Sequence, residues 1–229
     1  MENAPQLRPR YIALEGPLRV GKTSLARLLA EGTRDHGGAR LLLEPDANPH
    51  LDAFYAGEPG AAFRAQMHFL LERYRQLSTV GSGPLYDLVI ADYIFEKDKI
   101  FACINLSDAE LSVYNPYYEM LRAARAQTAA PDLVIYLQAT PEVLRRRLER
   151  KNLPNERQVS AEYLAEVAKA YDHFFFHYSQ SDLLVVNTSE IDFVERSGDL
   201  QELLRRLNEP VAGTQFYLPL GGEPGEGLE

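Results

Sequence analysis

Short apolar runs alternate with longer amphipathic segments along this chain, from residue 11 to residue 208. The apolar runs predict strands at 11–15, 40–44, 85–91, 133–137 and 183–186. Amphipathic spacing predicts helices at about 22–31, 61–79, 107–128, 141–150, 160–178 and 199–208. Continuous runs such as LVIA and LVIYL are typical of strands buried on both faces. The pattern indicates an α/β domain whose five parallel strands are flanked by helices.

Neither an internal repeat nor a linker interrupts this pattern. We therefore expect one domain over residues 1–229, with its core at about 10–208 and a C-terminal tail at 209–229. The Gly-rich, acidic end of that tail, GGEPGEGLE, is expected to fray. A chain of 229 residues with 45% apolar residues is long enough to bury a sizeable core.

Charge and cysteine content narrow the class of protein. A formal net charge of −9 argues against a general nucleic-acid binder, which needs an excess of basic residues to meet phosphates. The single cysteine, Cys103, excludes an intrachain disulfide and is read as a small core residue. Neither a signal-type leader nor a stretch long enough to span a membrane is present, so we expect a cytoplasmic protein without a membrane partner.

The stretch GPLRVGKTS at 16–24 has the form GxxxxGKT and lies between the first predicted strand and the first predicted helix, as a phosphate-binding loop requires. Backbone N–H groups of such a loop cradle the phosphates of ATP. Lys22 is expected to bridge the β- and γ-phosphates, and the Thr23 hydroxyl to help hold Mg²⁺. The residues predicted to contact the nucleotide are Gly16, Pro17, Leu18, Arg19, Val20, Gly21, Lys22, Thr23 and Ser24.

A second cationic feature is the run RRRLERK at 145–151. On a helix Arg146 and Arg150 share one face, as do Arg147 and Lys151. Such a run is commonly a solvated helix face. Beside a phosphate loop it favours an arginine-rich lid that neutralises the transferring phosphoryl group, with Arg146 and Arg150 as the first candidates and Arg147 next.

Three further stretches carry a resemblance: EPDANPHLDAFY at 44–55, QMHFLLERY at 66–74 and ADYIFEKDKIFA at 91–102. Together with the phosphate loop they resemble the deoxynucleoside kinase family, and most of all its bacterial members, over about residues 10–208. The resemblance implies a P-loop fold and transfer of the ATP γ-phosphate to the 5′-hydroxyl of a deoxynucleoside in nucleotide salvage, with purines slightly favoured. Family members often form homodimers; the helix LSVYNPYYEMLRAA at 111–124 is either such a dimer face or an internal core helix.

The acceptor hydroxyl needs a proton acceptor because a nucleoside 5′-hydroxyl is a poor nucleophile. Glu44 comes at the end of a predicted strand, at the sheet edge where ligands bind in open α/β folds. The resemblance makes Glu44 the general base.

Gln66 and Arg73 are seven residues apart, about two helical turns, so they project from one helix face. The amide offers a donor and an acceptor, and the guanidinium offers several donors. In the family these positions contact the nucleobase, and Phe69 lies between them to pack against it. An amphipathic helix with a solvated polar face is the alternative.

Other roles rest on the resemblance alone. It implies that Glu156 contacts the sugar 3′-hydroxyl with help from Tyr55, that Asp192 and Phe193 contact the donor adenine, and that Asp98 contacts the base. A structural loop is nearly as good an interpretation of 191–194. Asp92, after the third predicted strand, is the expected acidic partner of Mg²⁺.

Two positions depart from the family pattern. Arg19 stands where relatives usually have glycine, and it either contacts phosphate or points outward. Tyr93 stands where many relatives have an arginine, for which Lys97, Lys99 or a lid arginine could substitute. Two alternatives to a deoxynucleoside kinase remain open: a nucleoside monophosphate kinase of the thymidylate type, and a nucleotide-binding regulatory module without catalysis.

Overall fold

The computed structural model describes residues 10–34, 37–45, 47–80, 88–125, 129–153, 156 and 158–219. Within them the strands are β1 (Tyr11–Glu15), β2 (Arg40–Leu42), β3 (Val89–Ala91), β4 (Leu133–Gln138), β5 (Asp182–Asn187) and β6 (Thr214–Tyr217). The helices are α1 (Lys22–Gly32), α2 (Leu51–Tyr55), α3 (Ala61–Leu77), α4 (Lys97–Asn105), α5 (Asp108–Ala124), α6 (Pro141–Lys151), α7 (Ala161–Phe176) and α8 (Ser197–Leu207).

All strand pairs are parallel, and the sheet has the order β2-β3-β1-β4-β5-β6. Alternate residues of each central strand enter different apolar clusters, because successive side chains of a strand point to opposite faces. On β1, Tyr11 and Ala13 pack with α3, α4, α5 and α7, whereas Ile12 and Leu14 pack with α1, α6 and α8. The predicted α/β fold, with strands buried on both faces, is confirmed.

The number of strands differs from the prediction of five. The sixth strand, β6, pairs in parallel with β5 and lies in the segment predicted to be a tail. Its residues are exposed or half-buried in alternation, and it forms the sheet edge. A four-residue edge strand has too little apolar pattern to be distinguished from a loop. Residues 220–229, which include the whole of the predicted frayed end, lie outside the described part of the chain.

Strand β2 ends earlier than predicted, at Leu42 instead of residue 44, whereas β3 ends at residue 91 as predicted. The β2–β3 ladder stops at the pair Leu42 and Ala91, and the backbone N–H of Glu44 donates instead to Asp92 Oδ1 at 2.5 Å. A carboxylate therefore replaces the next rung of the ladder. The start of the predicted strand at 85–91 and the end of the predicted helix at 107–128 lie outside the described residues.

Helices α2 and α4 were not predicted. The first turn of α4 buries charged side chains, Lys97 and Asp98, alongside Ile100 and Ala102, so its inner face does not follow an apolar period. α5 begins separately at Ser107, which forms a capping box with Glu110.

The order of the sheet fixes where a ligand can bind. In the sheet, β3 and β4 lie on opposite sides of β1. The connection after β1 therefore leads to one side and the connection after β3 to the other, and the two diverge at the carboxyl end of β1. Such a switch point leaves a crevice beyond the strand ends. Across the described residues, no helix combines the length and apolar character needed to cross a bilayer.

Candidate active site

A cavity of about 750 Å³ opens at this switch point, a size typical of small-molecule sites. Most predicted site residues line it: Leu18, Arg19, Val20, Gly21, Lys22, Thr23, Ser24, Glu44, Tyr55, Gln66, Phe69, Arg73, Asp92, Arg147, Arg150, Glu156, Asp192 and Phe193. Four lie outside its lining: Gly16, Pro17, Asp98 and Arg146. One cavity therefore holds both the phosphate loop and the predicted acceptor residues.

The phosphate loop packs too closely for side chains at two of its glycines. A Cβ on Gly16 would lie 2.3 Å from the Leu137 carbonyl oxygen, and one on Gly21 would lie 2.6 Å from Phe193 Cζ. Both glycines also have positive φ, 144° and 112°. The loop is thereby pressed between β4 and Phe193, which brings Phe193 to the wall where a nucleotide would sit.

Lys22 folds back over the loop, and its Nζ donates to the carbonyl oxygens of Gly16 and Pro17 at 2.7 and 2.9 Å. Burial lowers the pKa of Lys22 to about 8, and the nearby charge of Lys97 acts in the same direction. Among the residues that the structure describes, Lys22 forms no ion pair at close range, and a phosphate would supply its anionic partner.

Arg19 has a left-handed backbone, with φ of 63°. This conformation costs a residue with a Cβ roughly 1–2 kcal/mol. Its side chain forms two hydrogen bonds to Glu156, from Nε at 2.7 Å and from Nη2 at 2.5 Å. The guanidinium is thus engaged with a carboxylate of the acceptor wall.

A chain of hydrogen bonds crosses the cavity floor. Thr23 Oγ1 donates to Asp92 Oδ2 at 2.5 Å, and Asp92 Oδ1 accepts from the Glu44 backbone N–H. A hydroxyl beside a carboxylate is the hard oxygen set that fits Mg²⁺, which keeps several waters and phosphate oxygens as its other ligands. Among the described residues no cluster of three or more His, Cys, Asp and Glu side chains is suited to hold a metal.

Glu44 is paired with two buried cations. Its Oε1 accepts from Arg73 Nη2 at 2.5 Å, and its Oε2 accepts from Lys97 Nζ. Burial alone would raise the pKa of Glu44, but the attraction of Lys97 and Arg73 outweighs it and holds that pKa well below the usual range. Glu44 is therefore ionised at neutral pH.

Asp98 organises the residues predicted to contact a base. It is fully buried and accepts from Gln66 Nε2 at 2.7 Å, from Tyr114 Oη at 2.7 Å and from Arg73 Nη1. Burial raises the pKa of Asp98, with the Arg73 charge opposing. Asp98 lies behind the cavity wall and orients Gln66 and Arg73, and Arg73 also lies 4.7 Å above the Phe69 ring centroid.

The three arginines of α6 that were predicted to form a lid differ in their contacts. Arg150 Nη1 donates to Asp192 Oδ2 at 2.9 Å beside the phosphate loop. Arg147 donates to the carbonyl oxygens of Val20, Thr188 and Ile191, at 3.1, 2.7 and 2.9 Å, so it ties the loop to the segment after β5. Arg146, the other first candidate for the lid, is exposed and faces away from the cavity lining. Arg147 and Arg150, three residues apart, therefore share the cavity face of α6.

The family model described as deoxynucleoside kinase matches residues 12–212. The chain belongs to the deoxynucleoside kinase family. It is 30% identical to the deoxyguanosine kinase of Bacillus subtilis, over 88% of this chain and 97% of that protein. It is 26% identical to the deoxyadenosine kinase of Lactobacillus acidophilus, over 88% and 96%.

A solved deoxyadenosine kinase from M. mycoides with bound dATP has the same fold, with a TM-score of 0.69 at 21% identity. It covers 87% of this chain and 100% of its own. This kinase is accordingly an enzyme that phosphorylates deoxynucleosides, which disfavours both the monophosphate kinase and the inactive module.

The arginine expected at position 93 is replaced in this kinase by a buried tyrosine. Tyr93 donates to Gln76 Oε1, is fully buried and is not part of the cavity lining. Lys97, one turn further on, lies in the cavity wall and is only 4% exposed. Lys99 turns away and donates to Asn115 Oδ1. Of the three substitutes considered from sequence, Lys97 is the one adjacent to Glu44.

Sequence reasoning missed the part played by Glu15. This last residue of β1 is fully buried and accepts from the backbone N–H groups of Gly16 and Ile94 at 3.0 and 2.9 Å. It joins the start of the phosphate loop to the segment after β3. A charged residue ending an otherwise apolar strand, directly before the loop glycine, was the available signal.

Proposed function

We propose that this kinase transfers the γ-phosphoryl group of ATP, bound with Mg²⁺, to the 5′-hydroxyl of a purine deoxynucleoside. One observation carries the proposal: a single cavity has a phosphate loop on one wall and an ionised carboxylate, Glu44, on the facing wall beside Gln66 and Arg73. Phosphoryl transfer needs these two ends in one site, because positioning and electrostatics supply most of its catalysis.

Glu44 accepts the proton of the 5′-hydroxyl as the phosphorus–oxygen bond forms. Its hydrogen bonds to Arg73 and Lys97 fix the carboxylate, so that little reorganisation is needed during the reaction. Lys97 places a positive charge close to the general base, Glu44, and it lowers the pKa of both Glu44 and Lys22. We assign Lys97 to the stabilisation of negative charge on the transferring phosphoryl group.

The donor half uses the loop, the arginines and Mg²⁺. Lys22 and Arg150 neutralise phosphate charge, and Phe193 with Asp192 lines the wall for the nucleoside part of ATP. Thr23 would ligate Mg²⁺ directly and Asp92 would hold it through water. When bound, the metal would neutralise negative charge on the phosphates of ATP.

The base and sugar are recognised from α3 and from the segment after α6. The Gln66 amide nitrogen donates to Asp98, which leaves the amide oxygen as an acceptor. Within the described part of the chain, the buried Nε of Arg73 lacks a hydrogen-bond partner. An acceptor beside a donor fits a base edge such as adenine N6 and N7. The names of the two bacterial relatives described above, a deoxyguanosine kinase and a deoxyadenosine kinase, support a purine. Glu156 and Tyr55 take the sugar 3′-hydroxyl.

A substrate panel tests the proposal. The purified protein with ATP and Mg²⁺ is offered each of the four deoxynucleosides and dTMP, and nucleoside monophosphate and ADP are both measured. We expect a 5′-monophosphate, with the highest kcat/KM for a purine deoxynucleoside. Absence of product from all four nucleosides, or turnover of dTMP alone, would contradict the proposal.

Lys22 should make ATP binding take up a proton at about pH 8.5. With a pKa of about 8 in the free protein, Lys22 is mostly neutral there, and the triphosphate favours its charged form. A phosphate whose second pKa is about 6 is already ionised and releases no proton. We therefore expect uptake of about 0.7 proton per ATP, and affinity that falls as the pH rises above about 8.

The uptake is measured by calorimetry in two buffers of different ionisation enthalpy. Lys22→Arg is the control, because a guanidinium stays protonated throughout this range. Uptake that is absent in the wild type, or equal in the variant, would assign the proton elsewhere.

We further propose a homodimer formed through α5. Val113, Tyr117 and Met120 lie on one face of this helix and are 48%, 50% and 58% exposed. Three large apolar side chains at this spacing form a continuous stripe that a second copy of α5 would cover. Light scattering should give about twice the 25.8 kDa chain mass for the wild type and the chain mass for Met120→Glu. A wild-type monomer at micromolar concentration would exclude this dimer.

A further inference from the structure

Arg19 joins the phosphate loop to the residue proposed to hold the sugar. Nε and Nη2 of one guanidinium donate to the two oxygens of one carboxylate, at 2.7 and 2.5 Å. The side chains of Arg19 and Glu156 are 23% and 9% exposed. Two parallel hydrogen bonds from a planar fork define the orientation of the carboxylate as well as its charge.

The residue next to Arg19 in the phosphate loop also contacts the side of the cavity that holds Glu156 and Tyr55. Leu18, the residue before Arg19, packs with Tyr55 against the small apolar cluster of Leu148, Val159 and Leu164. The left-handed backbone at Arg19 is unfavourable for a residue with a Cβ, so the side-chain contact offsets a local strain. A guanidinium engaged in this way is not free to bind phosphate unless the pair breaks.

We propose that Arg19 is a positioning residue that holds Glu156 in place for the 3′-hydroxyl of deoxyribose. This inference rests on the proposed function. A carboxylate has about four acceptor positions, and Arg19 uses two of them, so others remain for the hydroxyl. Tyr55 lines the same wall, and burial raises its pKa to about 12, which keeps its hydroxyl protonated for a second hydrogen bond. The loop that binds the donor thus also sets the discrimination between deoxynucleosides and their 3′-deoxy analogues.

The test compares two substrates that differ only in the 3′-hydroxyl. The best deoxynucleoside of the panel and its 2′,3′-dideoxy analogue are assayed with the wild type, Arg19→Met, Arg19→Lys, Glu156→Gln and the Arg19→Met/Glu156→Gln double variant. Arg19→Met keeps the backbone cost of a side chain at positive φ and removes only the charge and donors. Thermal unfolding of each variant confirms that it is folded.

We expect Arg19→Met to reduce the ratio of the two kcat/KM values about 10-fold, mainly through KM of the deoxynucleoside. Arg19→Lys should recover part of the ratio, and Arg19→Met should add little in the Glu156→Gln background. An unchanged ratio in Arg19→Met, or an equal loss on both substrates, would overturn the inference. A wild type that phosphorylates neither substrate would instead count against the proposed function.

Discussion

We expect Glu44→Gln to lower kcat for deoxynucleoside phosphorylation by about 10²–10⁴-fold, the range that general-base catalysis contributes. The amide can still accept a hydrogen bond, but it cannot take the proton from the 5′-hydroxyl. KM should change less than kcat, because the proposed contacts of Gln66 and Arg73 with the nucleobase remain. Steady-state kinetics with saturating ATP and Mg²⁺ measure both constants.

Two observations separate this loss from a loss of folding. Glu44→Gln leaves Lys97 without its carboxylate partner, and an unpaired buried charge is costly. Thermal unfolding is therefore measured for each variant, and the kinetic assays are run well below its midpoint. Glu44→Asp keeps the charge but withdraws it by one methylene, so it should retain more activity than Glu44→Gln. A folded Glu44→Gln enzyme with wild-type kcat would remove Glu44 from the role of base.

The lowered pKa of Glu44 also predicts how fold stability and kcat/KM depend on pH. Its folded-state value lies below the unfolded value of about 4.3, so this carboxylate stabilises the fold above that pH. The stabilisation is lost as the pH falls through the folded value. Glu44 is consequently ionised over the whole neutral range, and we expect it to give kcat/KM no acidic limb between about pH 6 and 8.

The fold could be predicted from the sequence where apolar periodicity and packing agree. Central strands such as β4 are buried on both faces, so their continuous apolar runs are visible without a structure. Helix α4 could not be found in this way, because its first turn buries Lys97 and Asp98 against polar partners from α3 and the end of β2. The edge strand β6 was missed for the opposite reason, since it buries very little.

For the candidate site, too, some features could be predicted from the sequence and others could not. Motif and spacing selected Lys22, Glu44 and Gln66, which the fold brings to one cavity. They could not show which groups pair within it. That Arg19 contacts Glu156, 137 residues away, depends on the tertiary path of the chain. Nor could helical spacing alone decide between the faces of α6, where Arg150 lines the cavity and Arg146 does not.

We expect Lys97→Met to lower kcat by about 10²–10³-fold, the effect of removing one preorganised group from developing negative charge. Methionine keeps the length and apolar stem of lysine without its charge. The substitution removes a cation that lowers the pKa of both Glu44 and Lys22, so the pKa of each should rise. Lys97→Arg should restore part of the activity, because it returns a positive charge to the same wall.

Lys99→Met is the matched control, since it removes the same charge from the same helix. Lys99 donates to Asn115 and lies near the rings of Tyr114 and Tyr118, and the cavity lining does not include it. Single-turnover assays isolate the chemical step, and there Lys99→Met should stay within about twofold of the wild type. Equal losses in the two variants would mean that helix charge or stability, and not a contact in the active site, explains the effect. A large loss in Lys97→Met alone would identify Lys97 as the cation that acts where relatives have an arginine and this kinase has Tyr93.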